Sequence, residues 1–274
     1  MYNIDLCILN WWIFLGFLKV LHSSLDLNSY LILFCAFALG GILKGATGAG
    51  SPLVTIPVLA IFFDAKLAVI LMSIPNLFSN SAQIFQYRRS SVDMGFSVKF
   101  AVYGGIGCIG GTIALASVDT RIIEFLVGTL TMLYVAFRLL KAKKNLSSSL
   151  TRKLLPTVGL IGGLVQGSCG MSAPIALSFL NAINLKRESF IFSISCFFFS
   201  MACIQILTLF VFDFLTLTIL LLGILALIPQ ISFMPVGNYL IKRVSVQTFD
   251  KVVLVVLVIL SAKIFFDLFA GSFF

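Results

Sequence analysis

One lysine stands where a charge is expensive. Lys44 lies near the end of an otherwise uncharged apolar run, directly before Gly45, inside the segment GGILKGATGAGSP from Gly40 to Pro52. A cation at membrane depth is costly and usually faces a cavity. An ammonium there would hold an anion, or its long stem would carry the charge out to an interface. The groups around it are also donors. Thr47 and Ser51 carry hydroxyls, and a helix beginning at Pro52 would leave free N–H groups at its positive end, a setting that suits an anion. Gly45 and Gly48 permit the non-helical turn that such a start requires.

The same segment occurs twice. GGLVQGSCGMSAP, from Gly162 to Pro174, repeats the pattern GGxxxGxxGxxxP at a constant offset of 122. Gln166 stands at the position of Lys44, so the fold does not require the charge there. Gly167, Ser168, Cys169, Gly170 and Ser172 complete the second segment, with Cys169 at the position of Thr47, and a second helix is expected to start at Pro174. The hydroxyls either meet a ligand or satisfy the backbone of the turn. The same offset relates Gln83 to Gln205 and Ser73 to Ser195. Asn76, Asn80 and Gln83 share one helix face. They either line a cavity or bond neighbouring helices.

These groups need elements that suit lipid. The chain has 274 residues, 60% hydrophobic and only 11% charged, with a mean hydropathy of +1.12. A soluble domain of this size could not hide so much apolar surface. Apolar stretches of about 20 residues recur, the length that a ~30 Å hydrocarbon core demands, and they are continuous rather than alternating. The expected fold class is an all-α polytopic membrane protein. The formal charge of +9 comes mostly from short loops, where it orients spans in the membrane instead of binding nucleic acid. The six cysteines form no CxxC pair, so no metal, disulfide or cofactor is expected. The acids lie in loops or near helix ends, and no hydrolase, metalloprotease or phosphate-loop motif is present, so an enzyme is not expected.

The repeat sets the architecture. Two transmembrane repeats, 29–141 and 153–270, are joined by a basic cytoplasmic linker over 142–152. An apolar segment precedes them in 1–28, and its residues 6–21 read as uncleaved membrane sequence. Each repeat opens with two limbs, 29–44 and 52–63 or 154–166 and 174–184. Three longer helices follow, over 66–87, 95–117 and 121–140, then 189–212, 214–240 and 246–269. At 1.5 Å per residue the first two limbs reach roughly 24 and 18 Å, too short to cross comfortably. A re-entrant hairpin in each repeat fits. With hairpins, 14 basic residues fall on one face and 4 on the other, whereas broken crossings give 11 and 7. The positive-inside rule prefers the first. The repeats are then inverted, and the two hairpin tips meet near the midplane, where irregular backbone lines a transport site.

The duplicated hairpin motif, its length and the order of segments resemble the sulfite exporter TauE/SafE family of membrane permeases over residues 30–270. The resemblance implies a plasma-membrane transporter or facilitator for sulfite, organosulfonates or related organic anions. On this reading the partners are the lipid bilayer and a small anion, with homo-oligomerisation left open. The rivals are a channel or carrier for another small solute, and a non-transporting membrane scaffold.

Overall fold

A computed structural model of the chain describes residues 26–89, 93–139, 146–183 and 185–270; the expected segment at 6–21 lies outside them. The described residues form ten helices and no strand. The first half holds α1 (Leu27–Thr47), α2 (Ser51–Phe62), α3 (Ala65–Tyr87), α4 (Met94–Ser117) and α5 (Thr120–Leu139). The second holds α6 (Ser148–Cys169), α7 (Ala173–Asn181), α8 (Arg187–Val211), α9 (Leu217–Arg243) and α10 (Val246–Ala270).

Several helix starts are written in the residue before them. The carboxylates of Asp26, Asp64 and Asp93 accept from the N–H groups of Ser29, Leu67 and Phe96 at 3.2, 2.8 and 2.9 Å. Ser147 and Thr216 cap α6 and α9 in the same way. An N-cap satisfies a backbone donor that the first helical turn leaves orphaned. Three of the acids that looked idle in loops are therefore structural.

Seven helices, α1, α3, α4, α5, α8, α9 and α10, are long and apolar enough to cross a membrane. Val252, Val255, Ile259, Phe266 and Phe269 are exposed along α10. Such a face suits lipid or another apolar partner, not water. The chain is a multi-pass membrane protein.

The opening limbs are longer than the sequence suggested. α1 and α6 have 21 and 22 residues, and α6 starts inside the stretch expected to be linker. The glycines do not break these helices; they bring helices together. A Cβ at Gly41 or Gly45 would strike the backbone of Gln230 or Met234 in α9, and one at Gly163 or Gly167 that of Gly104 or Cys108 in α4. α1 and α6 end only where Gly48 and Gly170 turn left-handed, with φ of 81° and 69°. Each of these two glycines donates its N–H back to the helix, to the carbonyls of Lys44 and Gln166 at 2.7 Å, which closes the last turn. Only 48–50 and 170–172 are non-helical between the paired limbs. The return limbs are short as expected, 12 residues in α2 and 9 in α7, or about 18 and 14 Å.

The halves embrace each other twice in the same way. Gly41 and Gly45 pack on Gln230 and Met234, and Gly237 packs back on Ile42 and Ala46. The counterparts are Gly163 and Gly167 on Gly104 and Cys108, with Gly111 back on Leu164 and Ser168. The repeat offset of 122 carries α1 onto α6, and 126 carries α4 onto α9. Two of the equivalent pairs, α5 with α10 and α3 with α8, run antiparallel. Arg138 near the end of α5 pairs with Asp250 near the start of α10 at 2.9 Å. Further along the pair, Ser261 donates to the Gly128 carbonyl at 2.9 Å and Phe125 meets Phe265. In the α3–α8 pair, Ser195 donates to Gln83 Oε1 at 3.1 Å, so late α3 meets early α8. The limb α7 turns back fully: the Leu146 N–H donates to the Ala182 carbonyl at 2.8 Å, bringing the start of α6 beside the end of α7.

Candidate functional site

Lys44 is 1% exposed. Its Nζ donates to Asn80 Oδ1 at 2.7 Å, and Asn80 Nδ2 donates in turn to the Asn76 carbonyl at 2.7 Å. The side chain does not run to an interface; it is held inside by a neutral amide. An ammonium has three donors, and this bond occupies one. Of the two ion pairs among the described residues, Arg138–Asp250 and Lys263–Asp267, neither includes Lys44. A buried cation without a counter-charge is unfavourable unless something supplies one.

The equivalent position in the second half is spent differently. Gln166 Oε1 accepts from the backbone N–H of Ser172 at 3.2 Å and from its hydroxyl at 2.9 Å. It thereby closes the turn before α7. A lysine cannot accept, so the first turn uses other means: Gly50, at the position of Ser172, takes φ 100°. Ala202 stands at the position of Asn80. The Lys44–Asn80 pair therefore belongs to the first half alone, and the two segments are chemically unequal.

The remaining expected residues divide. Ser51, at the start of α2, is fully buried, and its Oγ has no hydrogen-bond partner among the described residues. It lies beside Gly40, on the hairpin that carries Lys44. Thr47 Oγ1 is within reach of the Leu43 carbonyl at 2.8 Å and of the Ala49 carbonyl, so it serves the turn. Ser168 does likewise with the Leu164 carbonyl at 2.9 Å and touches the buried Cys169. Gln205 Nε2 donates to the Gly167 carbonyl at 3.2 Å, tying α8 to the second hairpin. Gln83 holds Ser195 across the halves.

The structure also adds a residue. Gln230 in α9 is fully buried and donates to Ser79 Oγ at 2.9 Å, while its Oε1 has no partner among the described residues. Its one sequence signal was a lone amide next to Pro229 in an apolar run.

The two tips do not sit face to face. Gly48 packs on Ile191, near the start of α8, and Gly170 on Ile56 and Val69, the latter near the start of α3. Because α3 and α8 are antiparallel, those are opposite ends of one pair. The expectation of tips meeting at the middle fails because α1 and α6 continue past the point where the limbs were expected to stop. Each packs along the other half instead, α1 on α9 and α6 on α4.

Among the described residues, seven long apolar helices in two interlocked halves that also bury a lysine without a counter-ion define a multi-pass membrane protein. A family model described as sulfite exporter TauE/SafE matches residues 32–264, and the chain belongs to that family of membrane transporters. No curated protein and no solved structure matches the chain.

Proposed function

We propose that this transporter is a plasma-membrane permease for a small anion, namely sulfite, an organosulfonate or a related organic anion, and that Lys44 binds it. The observation that carries the reading is a fully buried lysine side chain whose Nζ has one amide partner and no carboxylate. An anion beside Nζ would supply the missing charge and occupy donors that Asn80 does not. The Ser51 hydroxyl, unpartnered and on the same hairpin, is a second donor of the right kind. Gly48 and Gly170 shape the two turns, Gly45 and Gly167 seat their helices on α9 and α4, Gln166 closes the second turn, Gln205 ties the second hairpin to α8, and Gln83 joins α3 to α8.

The halves lie oppositely oriented in the bilayer on this reading, which the antiparallel α5–α10 and α3–α8 pairs support. Lys44 is closed off from both ends. An occluded centre between inverted halves fits alternating access, in which one half rocks against the other around a fixed site. Flux into proteoliposomes tests the proposal. Sulfite or a short organosulfonate should enter saturably with the native chain. Lys44→Ala should lower uptake at sub-saturating anion by about tenfold or more, the worth of a charged hydrogen bond of ~1.5–3 kcal/mol. Gln166→Ala should lower it less. Absence of flux for every small anion with folded protein present, or equal losses in the two variants, would remove the proposal.

A further inference from the structure

Where the C-terminal parts of α3 and α9 part company, they leave an open groove of about 440 Å³. Its counterpart in the other half is packed more closely at one point. There, Gly105 of α4 lets Ser200 and Ile204 of α8 pack close against the helix. Ile231 stands at the position equivalent to Gly105 and lines the groove. The groove faces outward, since Ile231 and Tyr239 on its wall are 45% and 57% exposed. Lys44, by contrast, is enclosed.

The lining is sorted along its length. Ala82, Ile231, Met234 and Pro235 make one end apolar, while Gln86, Asn238 and Lys242 make the other polar and cationic, with no carboxylate in the lining. From Ile231 to Lys242 the helix rises about 16 Å. Further cations border the polar end: Arg88 lies over the Phe85 ring at 3.9 Å, and Arg243 lies 5.4 Å from the Tyr239 ring. A sideways-facing groove with a basic, hydrogen-bonding mouth and an apolar floor matches a lipid that carries negative charge at its headgroup.

We propose that the α3–α9 groove binds one anionic glycerophospholipid, its phosphate held by Lys242, Gln86 and Asn238 and an acyl chain laid along Ile231, Met234 and Pro235. The site stands apart from the transport reading, yet it is not remote from it. The backbone of Met234 is what Gly45 packs on, so a lipid here lies behind the helix turn next to Lys44.

Native mass spectrometry of the full chain in neutral detergent tests this, with phosphatidylglycerol and phosphatidylcholine offered at equal concentration. Phosphatidylglycerol should be retained in clear preference. Lys242→Gln should weaken its retention about fivefold, the worth of one cation near a membrane surface. Ala82→Phe, which fills the groove and keeps every charge, should also release it. Should that variant fail to fold, Gln86→Ala and Lys242→Gln carry the comparison with the native chain. Equal retention of the two lipids, or native retention in the variants that fold, would overturn the proposal. So would displacement of phosphatidylglycerol by an equal concentration of inorganic phosphate, which would mark a site for a free anion.

Discussion

Burying Lys44 against Asn80 exchanges hydration of an ammonium for one amide contact and the field of whatever anion joins it. The amide is therefore structural as well as functional. Removing Asn80 while keeping the charge leaves the ammonium without a protein partner, so Asn80→Ala should destabilise the chain by about 1–3 kcal/mol in detergent unfolding. Pairing it with Lys44→Met should restore most of that loss, because an apolar side chain of similar length needs no partner. Losses that simply add in the double variant would contradict the coupling. The sequence placed Asn76, Asn80 and Gln83 on one face but could not rank them, since the face repeats every turn while the length of a lysine side chain selects one residue. It singled out Thr47 and Ser168 as donors, yet their hydroxyls serve nearby backbone carbonyls, a local competition that residue type alone does not reveal.

At the scale of elements, glycine carries two separate duties in the duplicated segment. Gly48 and Gly170 turn the chain, whereas Gly41, Gly45, Gly163 and Gly167 let backbones touch. The pattern GGxxxGxxG does not distinguish them, and treating all as breakers is why the limbs were expected to end early. The positions of the six long helices were legible, to within three residues at every end, from apolar run length and the punctuation between runs. The start of α6 was not, because Arg152 and Lys153 within its first turns read as linker. Substitution separates the two duties. Gly45→Val should cost about 1–3 kcal/mol as its side chain forces α1 off α9. Gly110→Ala, where an added Cβ meets nothing within 4 Å, should be neutral or slightly stabilising, through lower helix entropy cost. Equal melting temperatures for the two variants would refute the packing assignment.

At the scale of the whole molecule, the repeat offset, the crosswise packing and the antiparallel equivalents agree on one picture. Inversion could be argued from charge counts alone, but interlocking could not, because nothing in one chain's periodicity says that α1 of one half docks on α9 of the other. The picture predicts sidedness. In a cysteine-free background, single cysteines at Ser147 and Lys186 should react with an impermeant thiol reagent from the same side, as the Leu146–Ala182 bond requires, and one at Arg121 from the opposite side. Labelling of Ser147 and Lys186 from different sides would mean that α6 and α7 together cross instead of turning back.

The central claim is that an anion completes the charge at Lys44, and equilibrium binding reads this without requiring transport. Radiolabelled sulfite, or a short organosulfonate if sulfite does not bind, should bind the purified chain at one saturable site, and Lys44→Gln should lose it while keeping the native melting profile. Full binding retained by a folded Lys44→Gln variant would contradict the account.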